Sequence, residues 1–307
     1  MKFTISKLFS NARAFLRPGL VVQALTVAFA LFSATASAQP FVYVVGQGSR
    51  GPQFGTVDLA SGRFHRIAYT QIDNAPLSLA NLVWRNGSLL SLATSGSIAG
   101  SLVKINPATG EITVIGATGL GYNAFSLGEV NGQLYLTDFN TGGNFQNIYS
   151  VDPHSGAATL IGATGVPADP NIPFTTNADG TFNLCDESLY MVGGKLYAAF
   201  DSINVLPPTL EVDKYPADAT VGPVLYEIDP TTGATTQIGP TYLYQDASIE
   251  ITGTVYTFVA QFTGFPGGFP ASISQLDKIN LKTGAVTFLH VVDVDAGIVF
   301  GAARIRD

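Results

Sequence analysis

One cysteine, Cys185, in 307 residues excludes an intramolecular disulfide framework. Stability must then come from a core large enough to need no covalent staples. Histidine is nearly as scarce. His65, His154 and His290 are the only three, too few and too scattered for a His-rich zinc or copper centre. Charged residues make up just 12% of the chain. A disordered protein would carry more charge and fewer aromatics, and a helical bundle would need charged outer faces. Basic residues are outnumbered 15 to 22, for a net charge of −7. Nucleic acid needs a clustered basic patch, so it is not an expected partner. No G-x-x-x-x-G-K-[ST] stretch occurs, which removes a phosphate cradle for nucleoside triphosphates. What remains is apolar and turn-rich: 46% hydrophobic, 11% aromatic, with 33 Gly and 17 Pro.

Residues 1–38 have the form of an export signal. Lys2, Lys7, Arg13 and Arg17 are basic, an apolar stretch runs from Leu20 to Phe32, and Ala36-Ser37-Ala38 supplies a cleavage site. The apolar run is too short for a membrane anchor and is interrupted by Gln23. No cysteine follows the site to accept a lipid. The expected mature domain is 39–307, with no further membrane span, secreted or periplasmic. The signal holds four of the 15 basic residues and none of the acidic ones, leaving 269 residues with a net charge of −11. That charge disfavours anionic membranes.

A five-residue turn then repeats five times: Asp58-Leu-Ala-Ser-Gly62, Asn106-Pro-Ala-Thr-Gly110, Asp152-Pro-His-Ser-Gly156, Asp229-Pro-Thr-Thr-Gly233 and Asn280-Leu-Lys-Thr-Gly284. Asp or Asn accepts a bond from the turn backbone, Ser or Thr bonds locally, and Gly takes the left-handed conformation that re-enters a strand. A second, tighter turn precedes four of the copies: Asn86-Gly87, Asn131-Gly132, Gly193-Gly194 and Thr252-Gly253. Each unit reads strand a, tight turn, strand b, longer loop, strand c, tight turn, strand d, which is one blade of an all-β propeller. Phe41–Val45 opens the mature chain as a strand b without a strand a, and Ala296–Ile305 closes it as a strand without a partner. Pairing the two gives a closed five-bladed β-propeller without exposed terminal edges, six blades being the alternative count. Tyr43, Tyr135, Tyr149, Tyr197, Tyr226 and Tyr256 recur along the strands and are expected to fill the wedges between blades.

Leu225-Tyr-Glu-Ile-Asp-Pro-Thr-Thr-Gly233 with Ile238-Gly239, and Ile148-Tyr-Ser-Val-Asp-Pro-His-Ser-Gly156 with Ile161-Gly162, resemble the repeats of secreted bacterial YncE-like and quinoprotein-like propellers. The resemblance spans nearly all of the mature chain and implies the fold. It implies no activity and no quinone cofactor, since the docking tryptophans of quinoprotein repeats are absent and Trp84 is the only Trp.

Strand parity puts the a–b and c–d turns at one end of the ring. The b–c and d–a connections fall at the other, with expected b–c loops near Gln47–Phe54, Thr94–Ser101, Asp138–Asn147, Asp201–Pro223 and Gln261–Gln275, and a long d–a loop at Gly162–Thr181. Variable loops on a rigid frame are where binding residues usually lie. The expected function is binding of a glycan, peptide or protein partner at that end, through Asn123, Asp138, Asp201, Tyr215, Gln261, Phe265 and Phe269. The alternative is a carbohydrate- or lactone-active hydrolase or lyase using Asp186, Glu187, Asp246 and Asp295 at the starts of strands a, two carboxylates serving as acid and base. No cofactor is expected. Calcium is the one ion considered, through Asp138 and Asn140 of a truncated Asp-x-Asn loop that lacks the terminal Glu. A Ser-His-Asp triad is excluded because no histidine falls at the loop end.

Overall fold

The computed structural model describes residues 41–138, 145–167, 189–202, 222–241, 245–263 and 271–305. In chain order, β1 (Phe41–Gly48), β2 (Gly51–Asp58) and β3 (Phe64–Tyr69) open the chain, followed by a small hairpin of β4 (Gln71–Ile72) and β5 (Ala75–Pro76). The second blade is β6 (Leu79–Arg85), β7 (Ser88–Ala93), β8 (Ser101–Ile105) and β9 (Ile112–Ala117). The third is β10 (Ala124–Val130), β11 (Gln133–Asp138), β12 (Phe145–Val151) and β13 (Ala158–Pro167). The fourth is β14 (Leu189–Val192), β15 (Lys195–Ser202), β16 (Gly222–Ile228) and β17 (Thr235–Pro240). The fifth is β18 (Ala247–Ile251), β19 (Thr254–Thr263), β20 (Ala271–Ile279) and β21 (Val286–Val291), and β22 (Ile298–Arg304) ends the series. The last strand joins the first blade, in the order β22-β1-β2-β3. All pairings are antiparallel, and the five innermost strands touch one another in a closed ring. The architecture is the five-bladed all-β propeller that the turns imply.

Local chemistry explains the blades. In each c–d turn the Asp or Asn Oδ1 accepts from the backbone N–H two residues on, at 2.8–2.9 Å, as at Asp58, Asn106 and Asp229. The hydroxyl of the fourth residue accepts from the N–H that leaves the turn, as Thr109 does from Glu111. The a–b turns hold two consecutive residues at positive φ, 48° and 75° at Asn86-Gly87, 50° and 81° at Thr252-Gly253. That is the turn whose twist matches a two-residue hairpin.

The core is not one central mass. It is divided among five apolar clusters, each lying in the seam between two neighbouring blades. The repeat tyrosines pack where expected: Tyr43, Tyr149, Tyr135 with Tyr226, Tyr197 and Tyr256 each join a seam cluster.

A feature invisible in the linear repeat is a bulge on every outer strand. The c–d register slips by one at Ile67, Ile115, Ile161, Ile238 and Leu289. Each bulged residue packs into the seam with the next blade. The residue after it faces the next blade's c–d turn. At Gly116, Gly162 and Gly239 a β-carbon would strike the carbonyl of Ser155, Thr232 and Thr283 respectively. The Ile-Gly pair of the repeat is therefore an inter-blade seat: the isoleucine is pushed out to fill the wedge, and the glycine lets the neighbouring turn close on it. A bulge also adds local twist, which blunts an exposed edge strand.

Several boundaries differ from the expected ones. The first b–c connection is not an excursion over Gln47–Phe54, because β1 and β2 pair through Gly48 and Gly51, leaving a hairpin of Ser49-Arg50. Strands β15 and β19 run on to Ser202 and Thr263, so Asp201 and Gln261 lie in strands rather than loops. The closing strand begins at Ile298, while Val294–Ala296 form a short 3-10 turn. The ladders of β15 and β19 run to the strand ends, with Ser202 opposite Gly222 and Thr263 opposite Ala271.

Candidate functional site

The loop end gathers the b–c and d–a connections. Between described strands these span 49–50, 94–100, 139–144, 203–221 and 264–270 for b–c, and 70–78, 118–123, 168–188, 241–246 and 292–297 for d–a. Asp186, Glu187, Tyr215, Phe265, Phe269 and Asn140 lie outside the described residues, as does Cys185.

Asn123 ends a 3-10 turn just before β10 and is exposed. Asp138 ends β11 and is buried at 6% exposure. Its Oδ1 accepts from the Asn147 N–H at 2.8 Å, and its Oδ2 from the Asn147 amide at 3.1 Å and the Tyr149 hydroxyl at 2.7 Å. Those donors tie β11 to β12. Burial, followed by that bond to Asp138, pushes the Tyr149 hydroxyl up to about 12. Asp201 pairs with Pro223 and Gln261 with Ile273, each at the loop end of its blade.

Asp246 precedes β18 and is buried, with the Ala260 N–H donating to its Oδ2. Asp295 lies in the 3-10 turn before β22 and is exposed. Its backbone N–H donates to Asp293, and its carbonyl accepts from the Gln53 amide at 2.5 Å. One carboxylate is thus folded into the β18–β19 frame while the other stands in solvent. Among the described residues, no group of three or more His, Cys, Asp or Glu is placed to hold a metal ion. His65 and His290 fall on outer strands and His154 in a c–d turn; His290 is the penultimate residue of β21, next to the 292–297 connection.

Sequence reasoning missed a cavity of about 110 Å³ at the opposite end of the central channel. Three consecutive residues from each innermost strand line it, so its wall is three stacked five-membered rings. The outermost ring is Trp84, Glu129, Met191, Glu250 and Arg304. Each of the first four stands two residues before an a–b turn, and Arg304 takes the same register against β1. Counting back from Asn86-Gly87, Asn131-Gly132, Gly193-Gly194 and Thr252-Gly253 is the sequence signal that would have found four of them.

No protein-family model and no curated protein sequence matches this chain. Solved structures match in fold. An exo-β-1,3-galactanase from Phanerochaete chrysosporium, with β-1,3-galactotriose, is 11% identical with a TM-score of 0.53 over 85% of this chain and 64% of its own. TolB from Acinetobacter baumannii is 11% identical with a TM-score of 0.46, over 88% and 58%. A bifunctional GH43-CE protein of Bacteroides eggerthii is 14% identical with a TM-score of 0.46, over 83% and 34%. The chain spans less than two thirds of the length of each. These likenesses are those of β-propellers and reach no further than the fold.

Proposed function

We propose that this chain is an exported, non-catalytic propeller that holds a glycan, peptide or protein partner at its loop end. The observation that carries the reading is topological. Both kinds of tight turn fall at one end, and the strand ends that flank the connections of unequal length, 168–188 and 203–221 above all, fall at the other. A rigid ring with variable connections at one mouth is a frame for recognition. The galactotriose in the structure of similar fold is a reason to include oligosaccharides among the probes.

The test is a screen of the mature chain, 39–307, against glycan and peptide arrays, with thermal shift as the second readout. A bound ligand raises Tm in proportion to the logarithm of its concentration over Kd. A ligand lost when 203–221 is replaced by a short Gly-Ser linker, yet kept when the Asn106–Gly110 turn is altered, supports the reading. A ligand that survives the first change and is lost with the second refutes it.

A further inference from the structure

The cavity at the turn end is built unlike a plain packing ring. Five positions related by the blade repeat ordinarily hold similar residues, because they meet similar neighbours. Here they hold an indole, a thioether, two carboxylates and a guanidinium. The floor beneath is apolar, with Leu82, Leu127, Leu189 and Ala302 beside Ser248. An apolar floor under a few convergent polar groups is the ordinary make-up of a small-molecule site.

The rim charges are not equivalent. Glu129 is answered by Arg85 at 3.9 Å, and Arg85 also donates to the Gly132 carbonyl. Glu250 receives the Gly253 N–H on Oε1 and has no ion pair among the described residues. Arg304 is exposed and has no ion pair among them either. Their strands, β18 and β22, are neighbours in the ring, and β6 with Trp84 comes next. The indole is held by a stack on Tyr43, with centroids 5.8 Å apart and planes 6° from parallel. An acid and a guanidinium on adjacent strands, unanswered by each other, are complementary to a ligand that carries both an ammonium and a carboxylate.

We infer that the turn-end mouth is a binding site for a small aliphatic zwitterion of the amino-acid class. Glu250 receives the ammonium, Arg304 the carboxylate, and the leucines of the floor take the side chain, beside Trp84. This site stands apart from the loop-end reading, and neither depends on the other.

Trp84 is the only tryptophan, so its emission in the mature protein reports on this mouth and not on the loop end. L-valine is the probe, with isobutylamine and isovalerate as the same skeleton lacking one charge each. A saturable emission change and a rise in Tm with L-valine are expected, with both single-charge probes at least about tenfold weaker. Glu250→Gln keeps the acceptor for Gly253, and Arg304→Gln alters an exposed side chain. Each is expected to weaken L-valine at least about tenfold while leaving the ligand-free Tm unchanged. Trp84→Phe removes the optical signal and retains the Tm shift. No saturable response to L-valine overturns the inference. So does equal binding of the three probes, or binding that survives both charge substitutions.

Discussion

Asp277 is the residue most at odds with its surroundings. Three positions before each c–d turn, the other blades place Gly55, Val103, Tyr149 and Tyr226 on strand c. The fifth places an acid there, fully buried, with Thr257 directly across the ladder. Burial pushes its carboxyl above the ordinary range, partly offset by the Gln275 amide, which donates to both oxygens at 2.8 Å. The unfolded carboxyl ionises at its usual pH and the folded one only at a higher pH. Stability is therefore lost as pH rises across that window. Asp277→Asn is expected to stabilise by about 1–3 kcal/mol at neutral pH, with the gain fading below pH ~4; urea unfolding at both pH values checks it. Asp152 and Asp229 show the opposite sign. The His154 N–H, foremost, lowers the first, and the Thr231 hydroxyl the second. What those two contribute is present above the usual carboxylate range and disappears as pH falls through their folded values. The sequence displays Asp277 openly, as Leu-Asp where two other blades read Leu-Tyr or Ile-Tyr. Its partner and its burial were not legible, because both depend on which face of β20 meets the fourth blade.

Turns, bulges and seats are the element-scale devices of this fold. Thr252 is β-branched yet sits at φ 50°, where two of its counterparts are asparagines, Asn86 and Asn131. Thr252→Asn should relieve that strain and raise stability by about 0.5–1 kcal/mol, measured by the denaturation midpoint. The Gly162 seat makes the opposite prediction. Gly162→Val drives a branched side chain against the Thr232 carbonyl, and a loss of about 3 kcal/mol or more is expected in the same assay. Turns were readable from sequence because their chemistry is closed within five residues: an acceptor, a hydroxyl and a left-handed glycine. The bulges were not, since a one-residue slip exists only relative to a partner strand. The same ignorance of register misplaced Asp201 and Gln261 in loops. It also turned the Gln47–Phe54 hairpin into an expected excursion.

At the scale of the whole molecule, closure rests on one strand. β22 pairs with β1 from Val42↔Arg304 to Gln47↔Ile298, and it also flanks the innermost strands of the second and fifth blades. Ending the chain at Gly297 should abolish cooperative unfolding and expose two strand edges, seen as aggregation in light scattering. A circular permutant joining Ile305 to Phe41 through a short linker, opened at Asn131-Gly132, should keep the fold and its melting cooperativity. The blade count and the closing pair were legible because the first complete turn follows an unpartnered strand and the last is followed by one. The channel was not. Which residues of an innermost strand reach the axis depends on five strands meeting, and no single repeat contains that information.

That closing pair joins residues from opposite ends of the polypeptide, Tyr43 with Ala303. A ribosome emits the first of them long before the second. The opening blade accordingly waits, one strand short, until β22 has been made. Ring closure is therefore the last pairing of the fold that the growing polypeptide can make.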